Sequence, residues 1–87
     1  MHLSQDELTE LLKKAQQEVS VGAKYRHYKS PELTYIVKDI VIQEVDEEPC
    51  VIYQAQYGNK ITFSRPVNVW LEKVEFGGEA VPRFTKI

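Results

Sequence analysis

One stretch decides the fold: Cys50-Val51-Ile52-Tyr53-Gln54-Ala55-Gln56-Tyr57, followed by Gly58-Asn59. In an extended strand, alternate side chains point to opposite faces. One face would then carry Val51, Tyr53, Ala55 and Tyr57, and the other Cys50, Ile52, Gln54 and Gln56. This alternation predicts a strand, and Gly58-Asn59 predicts a two-residue hairpin turn into the next strand. The stretch therefore indicates an antiparallel β-structure.

Residues rich in Tyr, Val, Ile, Thr and Phe on both sides of this stretch predict five more strands. They lie near Lys24–Tyr28, Leu33–Gln43, Lys60–Ser64, Leu71–Phe76 and Val81–Thr85. In the longest of them the alternation slips at Lys38-Asp39, which predicts a bulge or a bend. Gly77-Gly78 predicts a second hairpin turn. Pro66 has no N–H for a ladder, so Pro66–Trp70 is interpreted as one helical turn.

Residues 4–20 predict an amphipathic helix. Ser4 and Glu7 have the spacing of a capping box. The apolar residues recur at helical spacing on one face, which is made of Leu8, Leu11, Leu12, Ala15 and Val19. We expect Leu12 to be mostly buried in the core. The alternative use of this face, through Leu8, Leu12, Ala15 and Val19, is a homodimer.

These elements predict one domain over residues 1–87, with the helix at 4–20 and a β-barrel at 24–87. The predicted fold class is α+β, mainly β: a small SH3-like half-open antiparallel barrel preceded by one amphipathic helix. A five-stranded OB-like barrel is the second choice. A protein of 87 residues has room for one thin core.

Composition excludes several classes of protein. No apolar run approaches the roughly 20 residues of a membrane span, and the first residues lack the features of a signal peptide. The single cysteine forms no internal disulfide, so we expect a cytoplasmic protein. The net charge is -2, and residues 31–60 hold two basic and six acidic residues. Most of these acids lie within Gln43–Pro49, which is interpreted as a solvated loop.

Several segments, in order, resemble a small bacterial family known only as a domain of unknown function. Its pattern is matched by Gly22, Tyr25-Arg26-His27-Tyr28-Lys29, Val51-Ile52-Tyr53, Tyr57-Gly58, Arg65-Pro66, Leu71-Glu72-Lys73-Val74 and Val81-Pro82-Arg83-Phe84. The resemblance departs at Ser30, where the family has Gly, at Phe63, where it usually has Trp, and within Gln43–Pro49, where a His-Ser-Glu-Thr stretch is absent. The resemblance supports the fold and a soluble bacterial context, and it supplies no activity, cofactor or catalytic residue that could be transferred to this sequence.

The sequence contains few residues that could carry catalysis or bind a metal. Cys50 and His27 are the only obvious nucleophile and base, and no glycine-rich elbow or phosphate loop accompanies them. We expect Cys50 to be a buried or half-buried thiol with no catalytic role. His2, His27 and Cys50 lie too far apart in sequence to suggest a zinc site. The sequence therefore predicts no enzyme, no metal and no cofactor.

The candidate binding residues are aromatic and basic. Tyr25 and His27 fall on one face of the first strand, and Lys24, Arg26 and Tyr28 on the other. Interleaved rings and cations can stack on bases or hold an extended segment, although they also suit an ordinary solvated strand. The full set of candidates is Tyr25, Arg26, His27, Tyr28, Lys29, Tyr57, Arg65, Trp70 and Arg83.

The predicted function is a small binding or adaptor module for a peptide or protein segment. The alternatives are a weak RNA- or DNA-binding module, which the acidic net charge disfavours, and a structural accessory subunit. We expect Tyr28, Tyr57 and Arg65 to lie in one contiguous patch, with at least two of them accessible. Trp70, if exposed, would mark the binding surface.

Overall fold

The capping box sets the start of the N-terminal helix. The computed structural model describes residues 2–87, and α1 spans Gln5–Glu18. The Ser4 hydroxyl accepts from the Glu7 N–H at 3.1 Å, and the Glu7 carboxylate accepts from the Ser4 N–H at 2.9 Å. Gly22 has a φ of +87°, a left-handed conformation that suits glycine and turns the backbone toward the first strand. The predicted helix is confirmed, with ends one and two residues inside the predicted ones.

Seven strands follow, and one helical turn interrupts them. They are β1 (Lys24–His27), β2 (Thr34–Gln43), β3 (Glu48–Ala55), β4 (Thr62–Pro66), the turn α2 (Val67–Trp70), β5 (Lys73–Phe76), β6 (Glu79–Pro82) and β7 (Phe84–Lys86). Five strands form one sheet in the order β4-β3-β2-β1-β7, and β5 and β6 form a separate two-stranded ribbon. Every pair is antiparallel.

Two predicted backbone features are confirmed. The β2–β3 register shifts between Val37 and Asp39, which is the predicted bulge. It explains why Val37 and Ile40, three residues apart, are both buried. Gly77 and Gly78, with φ of +65° and +83°, join β5 to β6 in the two-residue turn that favours positive φ at both positions.

One predicted connection was wrong, and another was confirmed. The predicted strand Val81–Thr85 is two strands, because the backbone leaves the ribbon at Arg83 and joins β1 of the main sheet as β7. The predicted two-residue turn at Gly58-Asn59 is confirmed, because the Lys60 N–H donates to the Tyr57 carbonyl at 3.0 Å and the turn connects β3 to β4. The Ala55 N–H donates to the Ile61 carbonyl at 3.0 Å, and the Gln56 N–H donates to the Thr34 carbonyl of β2 at 2.9 Å.

The α+β, mainly β class with one N-terminal helix is confirmed. The edge strands β4 and β7 are not paired with each other, so the sheets do not close into a barrel. The core packs Ala15 and Val19 of α1 against buried side chains of the main sheet and α2, which are Tyr25, Val37, Ile40, Val51, Tyr53, Val67, Trp70 and Phe84. Within residues 2–87 no helix is long and apolar enough to cross a membrane.

The apolar face of α1 is used for packing inside the protein. Ala15 is 3% exposed and Val19 is fully buried, so these two are not available to the alternative dimer face. Leu12 is partly buried and packs against this core, in agreement with the expectation for the apolar face.

The acidic loop also contacts the start of the helix, which was not predicted. The Glu47 carboxylate accepts from the Leu3 N–H with its two oxygens at 3.0 and 3.2 Å. Its side chain is only 17% exposed, whereas Val45 in the same loop is 85% exposed. Most of the loop is therefore exposed, whereas the half-buried Glu47 holds the residues just before the helix in place.

Candidate functional site

One face of the main sheet carries a small cavity with walls from all five strands. Its volume is about 260 Å³. In the strand register Phe63 lies opposite Tyr53, and Phe84 lies opposite His27. Side chains opposite each other, or two apart on one strand, share a face. The cavity, called here the aromatic pocket, is lined by His27 of β1, Tyr35 of β2, Tyr53 of β3, Phe63 and Arg65 of β4, and Phe84 of β7.

Arg65 is the one Lys or Arg side chain of the aromatic pocket. Its Nε donates to the Tyr53 hydroxyl at 3.3 Å, and its guanidinium carbon lies 5.3 Å from the centre of the Phe84 ring. This second distance is within the range of a cation–π contact. The side chain is half-buried, so the guanidinium is held in place by two aromatic residues while part of it faces solvent.

His27 lies beside this cation and is uncharged at neutral pH. Burial is the largest cause that lowers its pKa, and the positive charges of Arg65, Arg83 and Lys29 lower it further. The His27 Nδ1 accepts from the Lys29 backbone N–H at 3.2 Å. In a neutral imidazole one nitrogen accepts and the other carries the proton, so this bond assigns the proton to Nε2.

A pair of tyrosine hydroxyls forms one rim. The Tyr35 and Tyr57 oxygens are 2.7 Å apart, and the two rings meet edge to face. Burial, with the hydrogen bond to Tyr57 as the next cause, raises the pKa of Tyr35 to about 12. Tyr35 therefore keeps its proton at physiological pH. Since one hydroxyl of the pair donates to the other, the second has a proton free for a ligand.

A second cavity of about 400 Å³ lies between the end of β1 and the β5–β6 ribbon. Tyr28 forms part of its wall and contacts the exposed ring of Phe76 edge to face, with 5.5 Å between ring centres. Arg26 also lines it, on the sheet face opposite the aromatic pocket. His27 lines both cavities, and its ring centre is 4.7 Å from that of Tyr28.

The three residues expected in one patch, Tyr28, Tyr57 and Arg65, lie at two neighbouring cavities. Tyr57 is 37% exposed and contacts Tyr35, whereas Tyr28 is half-buried and contacts His27. Arg65 lines the same pocket as Tyr35 and His27 and is half-buried. The three residues therefore belong to different surfaces: Arg65 lines the aromatic pocket, Tyr57 lies at its rim through the Tyr35 hydroxyl, and Tyr28 lines the second cavity. Lys29 is exposed next to Tyr28.

Three of the sequence candidates have structural roles instead. Tyr25 is 6% exposed, and its hydroxyl accepts from the Ser20 N–H at 2.9 Å. Trp70 is 2% exposed and stacks on Phe84 with 3.7 Å between ring centres, so it is a core residue and not a surface marker. Arg83 pairs with Glu72 at 2.8 Å, which joins the segments just before β5 and just after β6 at the open end of the ribbon, although its buried Nε has no partner among residues 2–87.

The only predicted nucleophile and base are not brought together. Cys50 is 6% exposed on β3, separated from β1 by β2, and it lines neither cavity. Burial raises the pKa of its thiol, and the charges of Asp46 and Glu48 raise it further, so the reactive thiolate is disfavoured. Among residues 2–87 no group of three His, Cys, Asp or Glu side chains is placed to hold a metal ion.

Sequence reasoning missed most of the pocket lining. Tyr35, Tyr53, Phe63 and Phe84 were not candidates, because aromatic residues on strands are ordinarily core residues. Only the pairing of β7 with β1 places Phe84 beside His27. The one signal in the sequence was position 63, where the resembling family has another aromatic residue, Trp.

Residues 23–86 match the profile of a family of proteins of unknown function, DUF1653, and the protein belongs to this family. The matched region begins after α1, so the helix lies outside it. A crystal structure of a DUF1653 protein from Bordetella bronchiseptica is similar to this one, with 27% identity and a TM-score of 0.71. The similarity covers 83% of this protein and 91% of that one. No curated protein shows a significant match. The resemblance noted in the sequence is confirmed.

Proposed function

We propose that the protein is a non-enzymatic binding module that holds an extended protein segment at the aromatic pocket, in the bacterial cytoplasm. The observation that carries the proposal is the pocket itself, in which aromatic rings from five strands surround one fixed guanidinium. Exposed aromatic residues and arginine are the side chains that most often dominate protein recognition. The single free cysteine accords with a reducing compartment.

The size of the pocket favours one anchoring side chain over a whole metabolite. Pockets for drug-sized ligands usually have about 300–1,000 Å³, whereas this one has about 260 Å³. A segment anchored there would pass over Phe63, which is 41% exposed, and Tyr57 on the rim. Aromatic grooves of this kind suit extended segments, because rings pack on a stretched backbone with little loss of their own freedom.

The sheet edge next to the pocket offers backbone pairing as well. Phe63 and Arg65 belong to β4, which pairs with β3 on one side only. The other side of an edge strand presents N–H and C=O groups to which an extended segment can add. Side chains of such a segment alternate, so that one of them could enter the pocket while the backbone follows β4.

Peptide selection tests the proposal. A random peptide library displayed on phage is selected on the immobilised wild-type protein, and the affinities of enriched peptides for wild type and for Phe63→Ala are measured by fluorescence polarisation. We expect peptides whose affinity falls at least fivefold in Phe63→Ala, about 1 kcal/mol. Phe76→Ala, which removes an exposed ring outside the aromatic pocket, is the matched control and should leave the affinity unchanged.

Single- and double-stranded DNA and RNA are titrated in parallel at low and physiological salt. Binding of these oligonucleotides with a strong salt dependence, together with no selectable peptide, would replace the proposal by nucleic-acid recognition. Peptides that bind equally well to wild type and to Phe63→Ala would show that the aromatic pocket is not the site.

A further inference from the structure

Arg65 is a positioned cation without a counter-charge. Within residues 2–87, the three side-chain ion pairs join His2 to Glu47, Lys13 to Glu10 and Arg83 to Glu72. No carboxylate of these described residues therefore lies within 4.0 Å of the Arg65 guanidinium. Among residues 2–87, the one side-chain hydrogen bond of Arg65 uses its Nε, so that its four Nη–H donors are free. A half-buried guanidinium with free N–H donors can therefore bind a hydrogen-bond acceptor of a ligand.

The surroundings of this cation are positive although the protein as a whole is acidic. Arg65, Arg83 and Lys29 all lie close enough to His27 to lower its pKa, and the net charge of the protein is -2. Arg83 is paired with Glu72, so that Arg65 and Lys29 supply the unpaired positive charge near His27 within residues 2–87. The rings around Arg65 exclude water and weaken the screening of its charge, which favours an anion in the pocket.

We propose that the group anchored in the aromatic pocket is a carboxylate, from an Asp or Glu side chain or a free C-terminus of the partner, paired with Arg65. This inference rests on the proposed function and assigns the chemistry of the segment. The planar guanidinium presents two parallel N–H donors that match the two oxygens of a carboxylate. The free hydroxyl proton of the Tyr35–Tyr57 pair is a further donor at the rim.

A phosphate fits the same site less well. A phosphate dianion is usually held by several cations or backbone N–H groups. In the aromatic pocket one guanidinium is free, since the neighbouring Arg83 already pairs with Glu72. The pocket is otherwise lined by rings and by an uncharged histidine. One fixed positive charge matches one negative charge.

Three small probes of similar shape test the inference directly: phenylacetate, its neutral analogue phenylacetamide, and phenyl phosphate. Each is titrated into isotope-labelled protein at pH 7, and the resonances of the Arg65 side chain and the His27 ring are followed by NMR. We expect phenylacetate to bind at least fivefold more tightly than phenylacetamide. Arg65→Gln should abolish this preference and Arg65→Lys should keep part of it. Arg26→Gln, the same change at an exposed arginine outside the pocket, should keep all of it.

A second readout is the titration of His27 itself. A bound carboxylate offsets the positive charges of Arg65, Arg83 and Lys29 that face this ring. The pKa of His27 should therefore be higher with saturating phenylacetate than with phenylacetamide. This comparison is made on wild-type protein, so it remains decisive even if Arg65→Gln fails to fold.

The outcomes separate this inference from the proposed function. Equal binding of phenylacetate and phenylacetamide would overturn the carboxylate anchor, while pocket-dependent peptides would still support a peptide-binding module. Tenfold tighter binding of phenyl phosphate than of phenylacetate would make phosphate the anchor and overturn the inference. Failure of all three probes to shift the Arg65 and His27 resonances would also overturn it, and the peptide selection then decides the proposed function independently.

Discussion

Replacing Phe84 by leucine is expected to destabilise the protein by about 2.5 kcal/mol. Phe84 is 7% exposed and touches four other rings: stacked on Trp70 at 3.7 Å, and edge to face with His27, Tyr35 and Tyr53 at 5.1–6.0 Å. An aromatic pair contributes about 0.5–1.5 kcal/mol beyond the burial of its area. Leucine keeps most of the burial. Taking the stacked pair as about 1 kcal/mol and each edge contact as about 0.5 kcal/mol gives this loss.

Urea unfolding followed by far-ultraviolet circular dichroism measures this loss. A domain of this size has a stability of roughly 5–10 kcal/mol, so the variant should still fold. Its thermal midpoint should fall by roughly 10–20 °C, at about 4–8 °C per kcal/mol. Phe76→Leu is the matched control, because this ring is 52% exposed, and we expect a change below about 0.5 kcal/mol. Equal losses in the two variants would refute the aromatic core as described.

Three further predictions concern the helix, the histidine and the cysteine. Val19→Ala should lower the free energy of unfolding by about 2 kcal/mol, because it removes two buried carbons at about 0.8 kcal/mol each and leaves a cavity. Val21→Ala is the control, since this residue is 48% exposed, and it should change the free energy of urea unfolding little. Similar losses in the two variants would mean that α1 is not packed against the sheet. Because the pKa of His27 is lowered from 6.5 in the folded state, the unfolded protein takes up the proton first. The contribution of His27 to stability is present above pH 6.5 and is lost as the pH falls through the folded pKa. His27→Gln should therefore flatten this part of a plot of thermal midpoint against pH. An unchanged plot would contradict the lowered pKa of His27. Cys50 in the native protein should react slowly with a thiol reagent at neutral pH and quickly in urea, and rapid stoichiometric labelling of the native state would contradict its burial.

Local chemistry made several elements predictable. The capping box at Ser4 and Glu7 is complete within four residues, and the turn at Gly77-Gly78 needs only two residues that accept positive φ. The bulge at Lys38 shows as a slip in the alternation of its own strand. In each case the residues that determine the structure are neighbours in sequence, so the sequence alone was sufficient.

The candidate site was predictable only in part, because a strand's alternation says which side chains share its face but not which strand lies beside it. His27 and Arg65 were identified from their chemistry. The sequence did not indicate that the backbone leaves the ribbon at Arg83 and pairs with β1 as β7. This pairing places Phe84, near the C-terminal end, opposite His27. The same arrangement stacks the Phe84 ring on Trp70, a contact between elements that are separate in sequence.

The sequence by itself determined the helix, the antiparallel character of the strands, the bend in β2 and the residue types available for recognition. The tertiary structure decided that Trp70 lies in the core, that Ala15 and Val19 of α1 pack against the main sheet, and that five strands share one pocket around Arg65. The division follows from the range of the forces involved. Capping, turns and alternation act between residues close in sequence, whereas hydrophobic burial selects among strand pairings and depends on the whole molecule at once.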